Sequence, residues 1–147
     1  MQTARLLAVA LLGTAALSLH AALPVSTDGT EPSRWDPRLE ALHAAPHNHR
    51  VIFENADIRV LSVTVAPGEV EAAHHHLWPS VLVIDSLPRI TDHDASGREV
   101  QLPLPEKIEL PLVMKLPPQA THSVRNHGTE PLHLIRIEFK KGFPAQP

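Results

Sequence analysis

The sequence predicts an all-β domain, a sandwich or barrel of about eight short strands. Three observations lead there. After Asn48, runs rich in valine and isoleucine recur, each bounded by Pro, Gly, Asn or Asp. The 15 prolines among 147 residues favour short elements and many turns. Almost no stretch reads as helix, and no internal repeat is visible.

Taken in order, Met1 to Arg5 carries one positive charge and no acid, Leu6 to Leu19 carries no charge, and Ala21-Ala22 follows. A short basic start, an apolar stretch and a small-residue exit predict a secretory signal peptide over 1–22, its cleavage site blurred by His20. The stretch falls short of the roughly 20 apolar residues of a membrane span; an uncleaved N-terminal anchor is the other reading. The expected location is periplasmic or secreted. Over 23–47, Pro24, Gly29, Pro32, Pro37 and Pro46 mark a linker or an arm lying on the domain. Within it a short helix fits Pro37 to Ala44, with Asp36 as N-cap and Pro37 at the first helical position.

The domain is expected over 48–141, with 142–147 as a tail. Arg50 to Glu54 and Ile58 to Val65 read as strands joined by the turn Asn55-Ala56-Asp57. Pro79 to Asp85 is a short apolar run that suits a buried strand. Arg89-Ile90-Thr91 and Arg98 to Leu102 flank the hairpin loop Asp94-Ala95-Ser96-Gly97. Prolines make Leu102 to Pro111 an edge or a loop. Glu109 to Leu116, His122 to Asn126 and Leu132 to Phe139 complete the set.

Composition removes several functions. The chain has no cysteine, which excludes thiolate chemistry, zinc on sulfur and thiol redox switching. Thirteen basic and 16 acidic residues give net charge −3, and losing the leader takes away only Arg5. No basic footprint for nucleic acid and no charged membrane patch is present, and without tyrosine a base-stacking platform is not expected. The 11 histidines are the feature to follow.

Ala73-His74-His75-His76-Leu77 is the sharpest signal. On an extended strand His74 and His76 point one way and His75 the other, so two imidazoles can converge on one ion. A third ligand must come from elsewhere, and His122 is the candidate. A solvated histidine tract is the competing reading. His43, His47, His49, His93 and His127 sit in polar or loop contexts and are read as surface residues. His133 alternates with Ile135, Ile137 and Phe139 and is read as a hydrogen-bonded core histidine, and His75 as packing or solvent-facing.

Gly68-Glu69-Val70-Glu71-Ala72-Ala73-His74-His75-His76 resembles a first cupin motif, a glycine, five residues, then His-x-His. Pro117-Pro118-Gln119-Ala120-Thr121-His122-Ser123-Val124-Arg125-Asn126 resembles the second, with proline, histidine and asparagine in register. The opening Arg50 to Asn55 and Ile58 to Leu61 are similar to the first strands of small exported bacterial cupins. The resemblance covers His49 to Lys140. It implies a double-stranded β-helix, the cupin jelly-roll barrel, with His74, His76 and His122 as ligands of one divalent transition metal at the barrel mouth. Two positions depart from the pattern. Gln119 replaces a glycine, and no glutamate follows His76, where Ser80 or Val81 stands instead. Three neutral imidazoles favour iron, zinc, nickel or copper over manganese or magnesium. Glu71 and Glu138 are carboxylates that folding is able to bring near.

Function stays divided at this level. One reading is a metal-dependent enzyme on a small organic substrate, with oxygen-dependent cleavage or Lewis-acid chemistry, since the resemblance spans dioxygenases, isomerases and decarboxylases. Another is a periplasmic module that binds a metal or small ligand without turnover. A third is a vestigial, metal-free barrel. Leu77 and Trp78, beside the ligands, form either a pocket wall or core packing. The exposed first strands leave room for a homodimer through an edge sheet.

Overall fold

The computed structural model describes residues 31–144; the leader expected over 1–22 lies outside them. Among the described residues nine strands follow one another: β1 (His49–Glu54), β2 (Ile58–Val65), β3 (His74–His76), β4 (Ser80–Ser86), β5 (Ile90–Asp94), β6 (Glu99–Val100), β7 (Leu112–Leu116), β8 (Gln119–Asn126) and β9 (Leu132–Phe139). They form a five-stranded sheet in the order β1-β2-β9-β4-β7 and a four-stranded sheet in the order β3-β8-β5-β6. Every strand pair is antiparallel.

Turn chemistry sets the hairpins. Asn55 Oδ1 accepts from the N–H groups of Asp57 and Ile58, both at 2.8 Å, and so closes β1 onto β2. Asp94 Oδ1 accepts from Ser96 N at 2.9 Å and Arg98 N at 3.1 Å, and Gly97 supplies the φ of +80° that the β5–β6 turn requires. β2 and β9 span the residues that alternation predicts. β7 is shorter than the expected Glu109 to Leu116, and β6 keeps two residues of the expected Arg98 to Leu102. Pro103, Pro105 and Pro111 lack the N–H that a ladder needs, so 101–111 runs as irregular chain.

The inner face of the larger sheet is graded from charged to apolar. Along β9, Leu132, Leu134, Arg136 and Glu138 are buried while the residues between them are half-buried. Glu138 lies across from Arg59 of β2 and Ser80 of β4, forming one row. Arg136 lies between Leu61 and Leu82 in the next, and Leu134 between Val63 and Ile84 in the third. The apolar rows, with Val65 and Leu132, form the hydrophobic core. Ile90 of β5 and Val124 of β8 pack against it from the second sheet.

The segment before β1 lies on the barrel. Asp36 caps a 3-10 turn, Pro37–Leu39, its side chain accepting from Arg38 N. The single helix expected over Pro37 to Ala44 is instead broken at Glu40, which adopts an extended backbone before α1 (Ala41–Ala44). Glu40 forms an isolated bridge to His75, and its carboxylate reaches both Leu42 N and the guanidinium of Arg59. These tertiary partners outweigh the local helical preference of the segment. Trp35, Ala41 and Ala45 are buried beneath it.

Candidate metal centre

β3 places three consecutive histidines in the interior, all essentially inaccessible to water. His75 turns toward the preceding arm, where its Nε2 meets the Asp36 carbonyl at 2.8 Å and its ring packs against Trp35, centroids 5.2 Å apart. It is thus a packing residue, and no part of it faces solvent. His74 and His76 turn the other way. His74 pairs across the ladder with His122 of β8, and their ring centroids lie 4.6 Å apart. His76 and His122 are 5.8 Å apart, and His74 and His76 5.0 Å. The rings of the three histidines singled out in the sequence are therefore neighbours, but no set of three ligand atoms within 4.8 Å of one another contains all three.

A fourth imidazole joins them. His49, expected on the surface, is 4% exposed at the head of β1, with its ring 4.5 Å from His74 and 5.2 Å from His76. One ligand atom from each of His49, His74 and His76 lies within 4.8 Å of the others. The same limit holds for the set Glu71, His74 and His122. Sequence carries no usable sign of His49: the residues that alternate with it, Val51 and Phe53, are exposed, so strand alternation does not mark its side of β1 as interior. His74 belongs to both sets and forms the centre of the cluster.

Hydrogen bonds fix how the rings are presented. His49 Nδ1 donates to the Ala45 carbonyl at 3.0 Å and His74 Nδ1 to the Ala72 carbonyl at 2.8 Å. His76 Nδ1 donates to Glu138 Oε1 at 2.8 Å. Carbonyl and carboxylate oxygens only accept, so in each ring Nδ1 carries the proton and the lone pair is left on Nε2. Metal-binding histidines are oriented in this way by the groups behind them. The Nε2 of His74 is buried with no hydrogen-bond partner, and Glu71 Oε1 lies 3.4 Å away.

No glutamate follows His76. Ser80 occupies that region, fully buried, and the carboxylate beside it comes from β9. Glu138 does not present free oxygens, since Oε1 takes His76 and Oε2 takes Arg59 Nε at 2.6 Å. Arg59 in turn reaches Glu40 at 2.5 Å. Glu138 thus orients His76 through a buried chain of charges that runs back to the arm. Trp78 packs under this chain, with the Arg59 guanidinium 4.8 Å from its ring centroid.

Burial keeps the imidazoles neutral. It pulls the pKa of His49 down to about 4, of His122 to about 3 and of His74 to about 2, and that of His76 well below its ordinary value. For His76 and His122 the positive charge of Arg136 adds to the effect, and for His74 the neighbouring imidazoles do. Neutral imidazole is the form a metal binds. Glu71 moves the other way, to about 8, through burial and then the charges of Asp92 and Glu69. The set His49, His74 and His76, with the Nε2 of His74 orphaned in the interior, offers neutral nitrogen donors of the kind a borderline transition metal takes.

The other histidines divide. His43 and His47 are exposed, and His93 and His127 half-buried. His133 is hydrogen-bonded to Asp85 and Ser62 as expected, but it lies on the outer face of β9 rather than in the core, with its side chain 32% exposed. Beside the cluster a cavity of about 270 Å³ opens into the barrel; Glu71 touches both.

No protein-family model and no curated protein matches the sequence. Among solved structures the chain is similar to a cupin domain from Bordetella pertussis, with 20% identity over 63% of this chain and 91% of that one, at a TM-score of 0.53. A double-stranded β-helix protein from Klebsiella pneumoniae shares 21% identity over 67% and 84% of the two chains, at a TM-score of 0.47. A cupin family protein from Methanocaldococcus jannaschii shares 10% over 62% and 77%, at 0.46. With two antiparallel sheets closed around a common core, the chain has the cupin fold, a double-stranded β-helix.

Proposed function

We propose that the protein holds one divalent transition metal, iron, zinc, nickel or copper, at the cluster of His74, His76 and His122, with His49 as a further imidazole ligand. The buried, unpartnered Nε2 of His74 carries this reading. A buried nitrogen left without a partner costs about 1–3 kcal/mol, which a bound cation removes. The acceptors behind three of the four rings leave Nε2 as the only free nitrogen there, so His49, His74 and His76 present lone pairs and no protons.

When bound, the metal would supply Lewis acidity beside a cavity that fits a small organic molecule. Within this reading Glu71 is the group placed to exchange a proton, since it faces both cluster and cavity and its pKa is lifted to about 8 by burial. The reading is therefore a metal-dependent enzyme of undetermined reaction. Capture of a small ligand without turnover is the second reading, favoured by the engagement of Glu138 in ion pairs that leave it no free oxygen. Export rests on the leader pattern of 1–22 alone.

Metal content by mass spectrometry, on untagged protein recovered from the exporting compartment, tests the centre. Near-stoichiometric metal is expected in the wild type, and none in His74→Ala, which removes the ligand common to both sets. His49→Ala and His122→Ala are each expected to lower occupancy. A wild type that stays empty after incubation with each of the four metals would overturn the reading.

A further inference from the structure

We propose that the barrel cavity binds a small, mainly apolar carboxylate, whose oxygens are taken by Nε and Nη2 of Arg136. This names a ligand class for the site proposed above and rests on reading the barrel as ligand-binding, though not on the presence of the metal.

Arg136 is 4% exposed and sits in an apolar row, between Leu61 and Leu82. Of its donors, Nη1 meets Gln119 Oε1, while Nε and Nη2 are buried without a hydrogen-bond partner. Its nearest counter-charge, Glu138 Oε1, lies 3.4 Å from Nε and already accepts from His76. Buried charged groups are almost always paired and fully hydrogen-bonded. Here two adjacent N–H donors on one edge of a guanidinium lack hydrogen-bond partners, and they are spaced as a carboxylate requires for a two-point contact.

The surroundings select the rest of the ligand. Arg136 lines the cavity together with Leu82, Ile84, Met114, Val124 and Leu134. At about 270 Å³ the space lies just under the roughly 300–1,000 Å³ of sites for drug-sized ligands, so the occupant is small. Leucine, isoleucine and valine walls favour a hydrocarbon body. Two acids also line the cavity, Glu71 and Asp92. Asp92 Oδ1 is without a partner there. Arg136 is the one cation among the residues that line the cavity, and so the one place there for an anion.

Hexanoate and hexanamide, which differ in charge and little in shape, are titrated calorimetrically into protein stripped of metal by a chelator. Hexanoate is expected to bind about tenfold to a hundredfold more tightly than hexanamide, as charge-assisted hydrogen bonds imply. Arg136→Lys keeps the charge but loses the fork, and is expected to lose most of that preference. Because Arg136 also neighbours buried Glu138, Val124→Phe serves as a second variant: it fills the cavity, leaves Arg136 in place and is expected to abolish hexanoate binding. Equal affinity for acid and amide, no binding of hexanoate by wild type, or unaltered binding by Val124→Phe would each overturn the proposal. Failure of the metal centre shows separately, as absent metal with the acid preference intact.

Discussion

At Asn126 one amide ties down three backbone groups. Its Nδ2 donates to the Val65 carbonyl at 3.0 Å and the Glu130 carbonyl at 2.8 Å, while Oδ1 accepts from Gly128 N at 2.8 Å. The asparagine four residues after His122 is thus structural: it fastens the end of β8 to β2 and to the turn before β9. Gly128 is needed in that turn because a Cβ there would stand 2.5 Å from Cβ of Pro88. Asn126→Ala leaves buried groups unsatisfied and is expected to cost about 3 kcal/mol by urea denaturation. A loss under about 1 kcal/mol would mean that solvent takes over these bonds. Among single residues, His74, His76 and His122 were legible because the His-x-His alternation and the Pro-to-His-to-Asn spacing are local. His49 and the orienting role of Glu138 were not, because each depends on where a distant strand lands.

The elements were legible where their cause lies within them. Asp36 and Pro37 start a helical turn as their chemistry requires, and Leu132 to Phe139 alternates over its whole length. The break at Glu40 was illegible, since its cause is Arg59, 19 residues on, and His75. The arm this creates is part of the site's support rather than a tether: it covers His75, closes the Arg59–Glu138 chain and supplies the Ala45 carbonyl that orients His49. Trp35→Ala removes its buried anchor, 5% exposed, and is expected to cost about 3–5 kcal/mol in thermal or urea unfolding. A change within about 0.5 kcal/mol would show that the arm does not contribute to the folded barrel.

For the whole molecule, the histidine cluster makes the metal-free fold sensitive to acid. Each of the four imidazoles has its folded pKa below the ordinary 6.5, so the unfolded chain takes up protons that the folded one refuses. That stability is present above pH 6.5 and is lost as pH falls toward the folded values. Glu71 and Asp92 act in the opposite sense. Their pKa values, raised to about 8 and about 6, give stability that is full below the ordinary 4.5 and 3.8 and is lost as pH rises through the raised values. Four groups against two leave a net slope of about 2–3 kcal/mol per pH unit near pH 5.5, with stability falling as pH falls. Urea denaturation of chelator-treated protein at steps between pH 7 and 5 measures it. A flat profile would mean that the cluster accepts protons without unfolding. The barrel as a whole was legible because strand periodicity and turn residues agree along the chain. The cavity was not, since its walls come from six strands and the 101–104 loop.

Trp35 and Trp78 are the only tryptophans in the chain, and tyrosine is absent. One indole rests on His75, the middle residue of the histidine strand. The other lies beneath Arg59, which holds the carboxylate that orients His76. Nearly all the near-ultraviolet absorption and fluorescence of the protein therefore arises within three contacts of the cluster. A disturbance of the centre is therefore expected to change the colour and brightness of the light the molecule emits, an optical gauge built into the barrel.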